Sequence, residues 1–321
     1  MFNGWFARRL RSAGKLGAAA LIAVASVPAA ATAGSNDVLI FIFGGQSNMV
    51  GTTIARKVPD SAAAKKKIYY SDTKGGNRFP DGQDSKNAMN FGPEYGFIKS
   101  LEANGINNFI IQKTSHGGTS IYPRTEPGRL DWYPDTRGEL FDQMVRDYQA
   151  LTKRIKAQGK TPVLKGIFWA QGAADARNVD NYHKNLPYFF DRMQQSLGQS
   201  TDIYLAQTNW PERERLKRFE PQMQIVRDTQ QNYADTHSNV FIFSTKGYTK
   251  VDQVHFDPKS SFDMGTRFAA LYFKRNGITG YTLPKPSSAL VNAKQSDEFY
   301  RKKMERSENR TGAKRKKPNN N

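Results

Sequence analysis

The chain has 321 residues and no cysteine, which excludes disulfides, a thiol nucleophile and thiolate metal sites and leaves the core to hold by packing alone. Its length suits one large α/β domain with terminal extensions. The formal charge of +19 divides into +4 on residues 1–33, +6 on residues 286–321 and +9 between them, a balance that attracts anionic glycans, lipid headgroups or nucleic acid without choosing among them.

Residues 1–33 read as a signal peptide. Arg8, Arg9, Arg11 and Lys15 precede the apolar residues 16–27, and Ala31-Thr32-Ala33 supplies the small residues of a cleavage site. The apolar stretch is shorter than the roughly 20 residues of a membrane span, and Pro28 closes it, so no transmembrane segment is expected after signal removal. The expected destination is the periplasm or the extracellular space.

Within residues 34–285, short apolar runs alternate with helical patterns, which predicts crossover units around a buried parallel sheet, a three-layer α/β/α fold. Strands are expected at residues 38–43, 109–112, 163–169, 203–206 and 240–243. Leu140, Met144, Tyr148, Leu151 and Ile155 recur at steps of three and four and mark one helix. Tyr182, Leu186, Phe189, Met193 and Leu197 mark another, in which Pro187 predicts a late start or a kink. A last helix carries Phe268, Ala269, Tyr272 and Phe273 and ends near Gly277. Residues 52–90 show no clear period. Residues 286–321 turn polar and charged, closing on Lys314-Arg315-Lys316-Lys317, and form a basic tail expected to be disordered. No nucleic-acid motif accompanies that charge, so no nucleic-acid partner is expected.

In such a sheet, ligands meet the carboxyl ends of the strands. The first strand is followed by Gly44-Gly45-Gln46-Ser47-Asn48-Met49, where glycines permit a sharp turn and a serine ahead of a helix exposes its hydroxyl. The plainer alternative is that Ser47 caps that helix. A serine nucleophile needs a base, and the candidates are His116, His183, His237 and His255. His183 falls on a patterned helix and His237 in a polar stretch, whereas His116 adjoins Gly117-Gly118 and could line a pocket. His255 follows Asp252 by three residues, a spacing that lets the carboxylate reach Nδ1; a surface Asp/His pair is the alternative. Donors for an oxyanion could come from the backbone of residues 115–120 and from the side chain of Gln171. Trp132, Tyr133 and Trp210 could stack on sugar rings or pack in the core, and no site role is assigned to them.

Taken together, Gly45-Gln46-Ser47-Asn48-Met49, Gly92-Pro93-Glu94, Gly117-Gly118-Thr119-Ser120, Trp169-Ala170-Gln171-Gly172 with Asp175, and Asp252-Gln253-Val254-His255-Phe256 resemble the SGNH-type hydrolases. Within them the resemblance is to the sialate O-acetylesterase-like group that includes carbohydrate esterase family six, and it spans residues 38 to about 275. It implies an SGNH/flavodoxin-like fold and ester hydrolysis by a Ser-His-Asp triad with no metal or cofactor. It also implies an acetylated carbohydrate or polysaccharide as substrate. By the same resemblance Ser47 is the nucleophile, His255 the general base and then acid, and Asp252 its orienter. The oxyanion hole would take the Ser47 amide, the Gly118 amide, with Gly92 the lesser choice, and the Gln171 side chain.

The family commonly reads Gln-Gly-Glu-x-Asp, whereas this chain has Gln171-Gly172-Ala173-Ala174-Asp175, which implies an altered substrate range or lowered activity. Two alternatives use the same scaffold. One is acyl transfer to an exopolysaccharide hydroxyl; the other is glycan binding without catalysis.

Overall fold

The structure is a computed structural model that describes residues 34, 36–51, 67–71, 77–78, 91–124, 130–209, 218–252 and 254–292. The expected signal peptide, Trp210, Gln253 and most of the basic tail lie outside the described residues.

The strands are β1 (Asp37–Gly45), β2 (Ile68–Ser71), β3 (Asn77–Arg78), β4 (Phe109–Ser115), β5 (Thr161–Ala170), β6 (Ile203–Gln207) and β7 (Val240–Ser244). They form one sheet in the order β3-β2-β4-β1-β5-β6-β7, parallel throughout except for the short edge strand β3. From β4 to β7 this is the 2-1-3-4-5 order of doubly wound folds, and the chain switches sides between β1 and β5.

β1 sits mid-sheet because it is apolar on both faces. Val38, Ile40 and Ile42 enter one core while Leu39, Phe41 and Phe43 enter the other, as the two-residue period of a strand requires. The first core is covered by α3 (Leu140–Ala157), α4 (Tyr182–Leu197) and α5 (Glu220–Thr236). The second is covered by α2 (Glu94–Ala103) and α6 (Pro258–Arg275), with the short α7 (Ser288–Asn292) beside them. Phe43, Phe168 and Tyr204 stack in sequence across three strands of that second face, with centroids 4.9 and 4.6 Å apart. Three layers therefore enclose two cores, as expected.

The apolar stripe of α3 is buried as its spacing predicts. α4 begins at Tyr182 rather than late; Pro187 lies inside it, and 3-10 turns at Asp175–Arg177 and Val179–Asn181 lead into it. α2 and α5 were not legible. α2 buries the polar Glu94 and Ser100 beside its apolar residues, which blurs its period, and in α5 the polar Gln230 occupies a position on the buried stripe.

β1 ends in two glycines because its neighbours leave no room. A Cβ on Gly44 would meet Met144 of α3 and the Trp169 ring, the latter at 2.7 Å, and a Cβ on Gly45 would strike the Ala170 carbonyl. Gly44→Ala should therefore cost about 1–3 kcal/mol through overpacking, read as a lower urea midpoint with an unchanged slope. An unchanged midpoint would show that the layers yield freely.

Candidate active site

The end of β1 delivers Ser47 to the carboxyl edge of the sheet. Gly45 takes φ +144°, which carries the backbone past Ala170, and the Gln46 amide donates to the Ala170 carbonyl at 3.0 Å. The Gln46 side chain turns inward, where its Oε1 accepts from the amides of Gly172 (3.1 Å) and Ala174 (3.3 Å). α1 (Ser47–Val50) then starts with Ser47 as its first helical residue and closes through the Gly51 amide onto the Ser47 carbonyl at 3.0 Å. Gln46 holds the cap position, so Ser47 is not a helix cap. Its half-buried side chain has no hydrogen-bond partner among the described residues.

After β7 the chain makes a tight loop, closed where the Val251 amide donates to the His255 carbonyl at 2.9 Å. Inside it Asp252 Oδ2 meets His255 Nδ1 at 2.6 Å, while Asp252 Oδ1 accepts from the amides of Val254 and His255, each at 2.8 Å. Burial alone would raise the Asp252 pKa, but the hydrogen bonds from His255 and Val254 outweigh it and hold the carboxyl down at about 2. A depressed acid stabilises the fold above the unfolded value near pH 4, a contribution lost as pH falls through about 2. Asp252 is thus an anion at any working pH, and with Nδ1 engaged the imidazole has Nε2 left for other chemistry.

Asn48 joins the two segments. Its Oδ1 accepts from the Phe256 amide at 3.0 Å and its Nδ2 donates to the Val254 carbonyl at 3.3 Å. The residue that follows Ser47 therefore grips both neighbours of His255.

A third segment leaves β4. The His116 amide donates to the Gly45 carbonyl at 3.1 Å, and a Cβ on Gly117 would stand 3.7 Å from that of Ser47, so this turn overhangs the serine. Gly118 adopts φ +74° in open space, a conformation that favours glycine. The turn is fixed from below: Thr119 Oγ1 donates to the His116 carbonyl at 2.8 Å and accepts from Trp132 Nε1 at 2.9 Å. Trp132 is fully buried and packs edge-on against Trp169, which makes it a core residue. Burial pushes the His116 pKa down, so its imidazole favours the neutral form.

Gln171, expected as an oxyanion donor, and Gly92, the lesser alternative to Gly118, both sit among other partners. Gln171 is buried, and its Nε2 donates to the Thr119 carbonyl at 3.0 Å and to Asp175 Oδ2, which uses both of its hydrogens. Gly92 lies beneath α1, where a Cβ would meet Lys113 Nζ and the Met49 carbonyl oxygen, each at 2.7 Å. Nearby, Lys113 Nζ pairs with Glu94 Oε1 at 2.7 Å and donates to the Val50 carbonyl at 3.2 Å. Burial works against both charges, raising the Glu94 pKa and lowering that of Lys113, while their pairing opposes it. This buried pair braces the C-terminal end of α1.

His183 and His237 stand apart, lining a groove with Pro187, Ile225, Asp228 and Tyr233 between α4 and α5. Ala173, in place of the family glutamate, is buried within the first core, a position that suits a methyl group. Among the described residues no group of three or more His, Asp or Glu side chains could hold a metal ion. Sequence reasoning missed Gln46, Asn48 and the Glu94–Lys113 pair as positioning elements, although the first three lie within the motifs it singled out.

Residues 37–274 match the family model described as carbohydrate esterase, sialic acid-specific acetylesterase. The chain belongs to that family. It is accordingly a carboxylic ester hydrolase of the carbohydrate esterase type. A protein from Arabidopsis thaliana shares the fold at TM-score 0.55 and 20% identity, over 74% of this chain and 98% of that one. A carbohydrate acetylesterase from Xanthomonas citri aligns at TM-score 0.50 and 17% identity, over 76% of this chain and 57% of its own. NanS aligns at TM-score 0.51 and 12% identity, over 75% and 98%. No functionally curated protein is a significant sequence match.

Asn48→Ala removes the clasp on residues 254 and 256 while leaving Ser47, Asp252 and His255 in place. Because small misplacements of reacting groups cost up to roughly 10²-fold, ester hydrolysis by this carbohydrate esterase should fall about 10- to 100-fold in kcat/KM. An unaltered rate would show that the two segments hold their places without the clasp.

Proposed function

We propose that this carbohydrate esterase is an exported serine enzyme that removes acetyl or similarly small acyl groups from an O-acylated carbohydrate. Ser47 is its nucleophile, His255 its base and Asp252 the orienter of that base. The observation that carries this reading is the Asn48 clasp, which presents a carboxylate-bound imidazole beside the serine turn. Nothing in glycan binding alone calls for an imidazole held at Nδ1 by a part-buried carboxylate.

In this mechanism His255 Nε2 takes the Ser47 hydroxyl proton as Oγ adds to the acyl carbonyl. The oxyanion that forms accepts hydrogen bonds from the backbone amides of Ser47 and Gly118, on the two turns that meet at the serine. Collapse expels the sugar oxygen, which leaves with the proton from His255. Water then gives a proton to Nε2 as its oxygen adds to the acyl-serine, Nε2 passes that proton to Ser47 Oγ as the ester bond breaks, and the carboxylic acid departs and ionises in solvent. Asp252 stays ionised throughout and stabilises the imidazolium. Gln171 supports the glycine turn from behind and donates nothing to the oxyanion.

Among the described residues no helix is long and apolar enough to cross a membrane. The basic charge left on residues 34–285 suits a polyanionic glycan surface, and the signal-like N-terminus suits export.

The test is release of acetate from p-nitrophenyl acetate, acetylated xylan and an O-acetylated sialic acid. Ser47→Ala and His255→Ala should each lower kcat by about 10⁴-fold or more. Equal, background-level release by the unaltered protein and Ser47→Ala would overturn the assignment for these substrates.

A further inference from the structure

We propose that Asp175 is a positioning residue that acts through Gln171 and the Ile121 amide to hold the Gly117–Gly118 turn against Ser47. The proposal rests on the esterase reading above and concerns a buried carboxylate that the triad does not use.

Asp175 follows β5 and is 1% exposed. Its Oδ1 accepts from the Ile121 amide at 3.0 Å, just beyond the glycine turn, and its Oδ2 accepts from Gln171 Nε2. The second hydrogen of the same amide goes to the Thr119 carbonyl at 3.0 Å. Both anchors of the turn, at Thr119 and Ile121, are therefore tied to one carboxylate, directly or through one amide. Gln230 of α5 holds Gln171 in place, its Nε2 donating to the Gln171 carbonyl at 2.8 Å and to the Tyr182 hydroxyl at 3.0 Å.

This arrangement needs the ionised acid. Gln171 Oε1 is buried without a partner among the described residues, and turning the amide over would aim that oxygen at two acceptors. A proton on Asp175 would turn a charged acceptor into a neutral one and weaken the hydrogen bonds that Ile121 and Gln171 donate to it. The charged and titratable groups facing Asp175 are Arg124, on the loop after the turn, and the Tyr182 hydroxyl on α4; Gln230 on α5 is neutral. Arg124 favours the ionised form, but burial dominates and pushes the Asp175 pKa up to about 7. The relay is therefore strongest above about pH 7 and loosens as the pH falls through that value.

Two measurements on the full chain test this, one of which needs no turnover. In an isotope-labelled sample, the amide signals of Gly117, Gly118, Thr119 and Ile121 and the Gln171 side-chain amide should titrate together near pH 7. Asp175→Asn should abolish that shared titration. In hydrolysis, log kcat/KM should fall as the pH drops through about 7, by a step that belongs to Asp175. Asp175→Asn should remove that step and lower kcat/KM by roughly 10- to 100-fold, and Gln171→Met should add little to that loss. Turn amides that ignore the titration, or an Asp175→Asn variant that keeps the full rate and the step near pH 7, would overturn the relay. If the unaltered protein hydrolysed no ester, the esterase reading would fail and the amide titration would still decide the relay.

Discussion

The site is assembled from loops on separate strands, and what holds them in register is a set of side-chain amides bonded to backbone across the carboxyl end of the sheet. Gln46 from the end of β1 binds residues 172 and 174 after β5; Asn48 from α1 binds residues 254 and 256 after β7. Gln171 binds the turn after β4, and Gln230 binds Gln171 and the Thr208 amide after β6. An amide carries donors and an acceptor, so Asn48 and Gln230 each donate to a backbone carbonyl and accept from a backbone amide, which a carboxylate could not do. Each such bond adds only about 1 kcal/mol net, yet its loss in a buried position costs about 1–3 kcal/mol. That asymmetry ties the loops to one another without the disulfides that the composition excludes.

The environment gives two carboxylates opposite behaviour. Asp252 collects an imidazole and two amides and is held down at about 2, whereas Asp175, more deeply buried and with fewer donors, is pushed up to about 7. Groups driven apart in this way serve different ends within one site. In the proposed account, one holds a base in a fixed tautomer over the whole working range, while the other makes the oxyanion turn sensitive to pH. Glu94 and Lys113, buried together under α1, answer neither need and serve as a brace for the serine turn.

Much of the fold was legible because its signals are local. The apolar run of β1 and the stripes of α3 and α4 each declare themselves within a few turns of chain, and Asp252 and His255 are three residues apart. Asn48 and its partners are separated by 206 and 208 positions, and no spacing rule reaches that far. The partners of Gln171 were not legible for a related reason. A donor amide after a strand is chemically suited to an oxyanion, but which acceptor it meets depends on Thr119 and Asp175 and on a backbone path that pattern alone does not describe. α5 escaped because its polar Gln230 faces the core to bind loops, which breaks the apolar period that marks a helix.

A covalent intermediate is the central chemical claim, and it can be caught. The full chain would be mixed with p-nitrophenyl acetate, quenched in acid within the first turnover, digested and read by mass spectrometry. The account predicts an acetyl group on the peptide that carries Ser47, formed in step with the burst of nitrophenol and absent from Ser47→Ala. Acetate released at full rate with no adduct on that peptide, or an adduct on another residue, would contradict it.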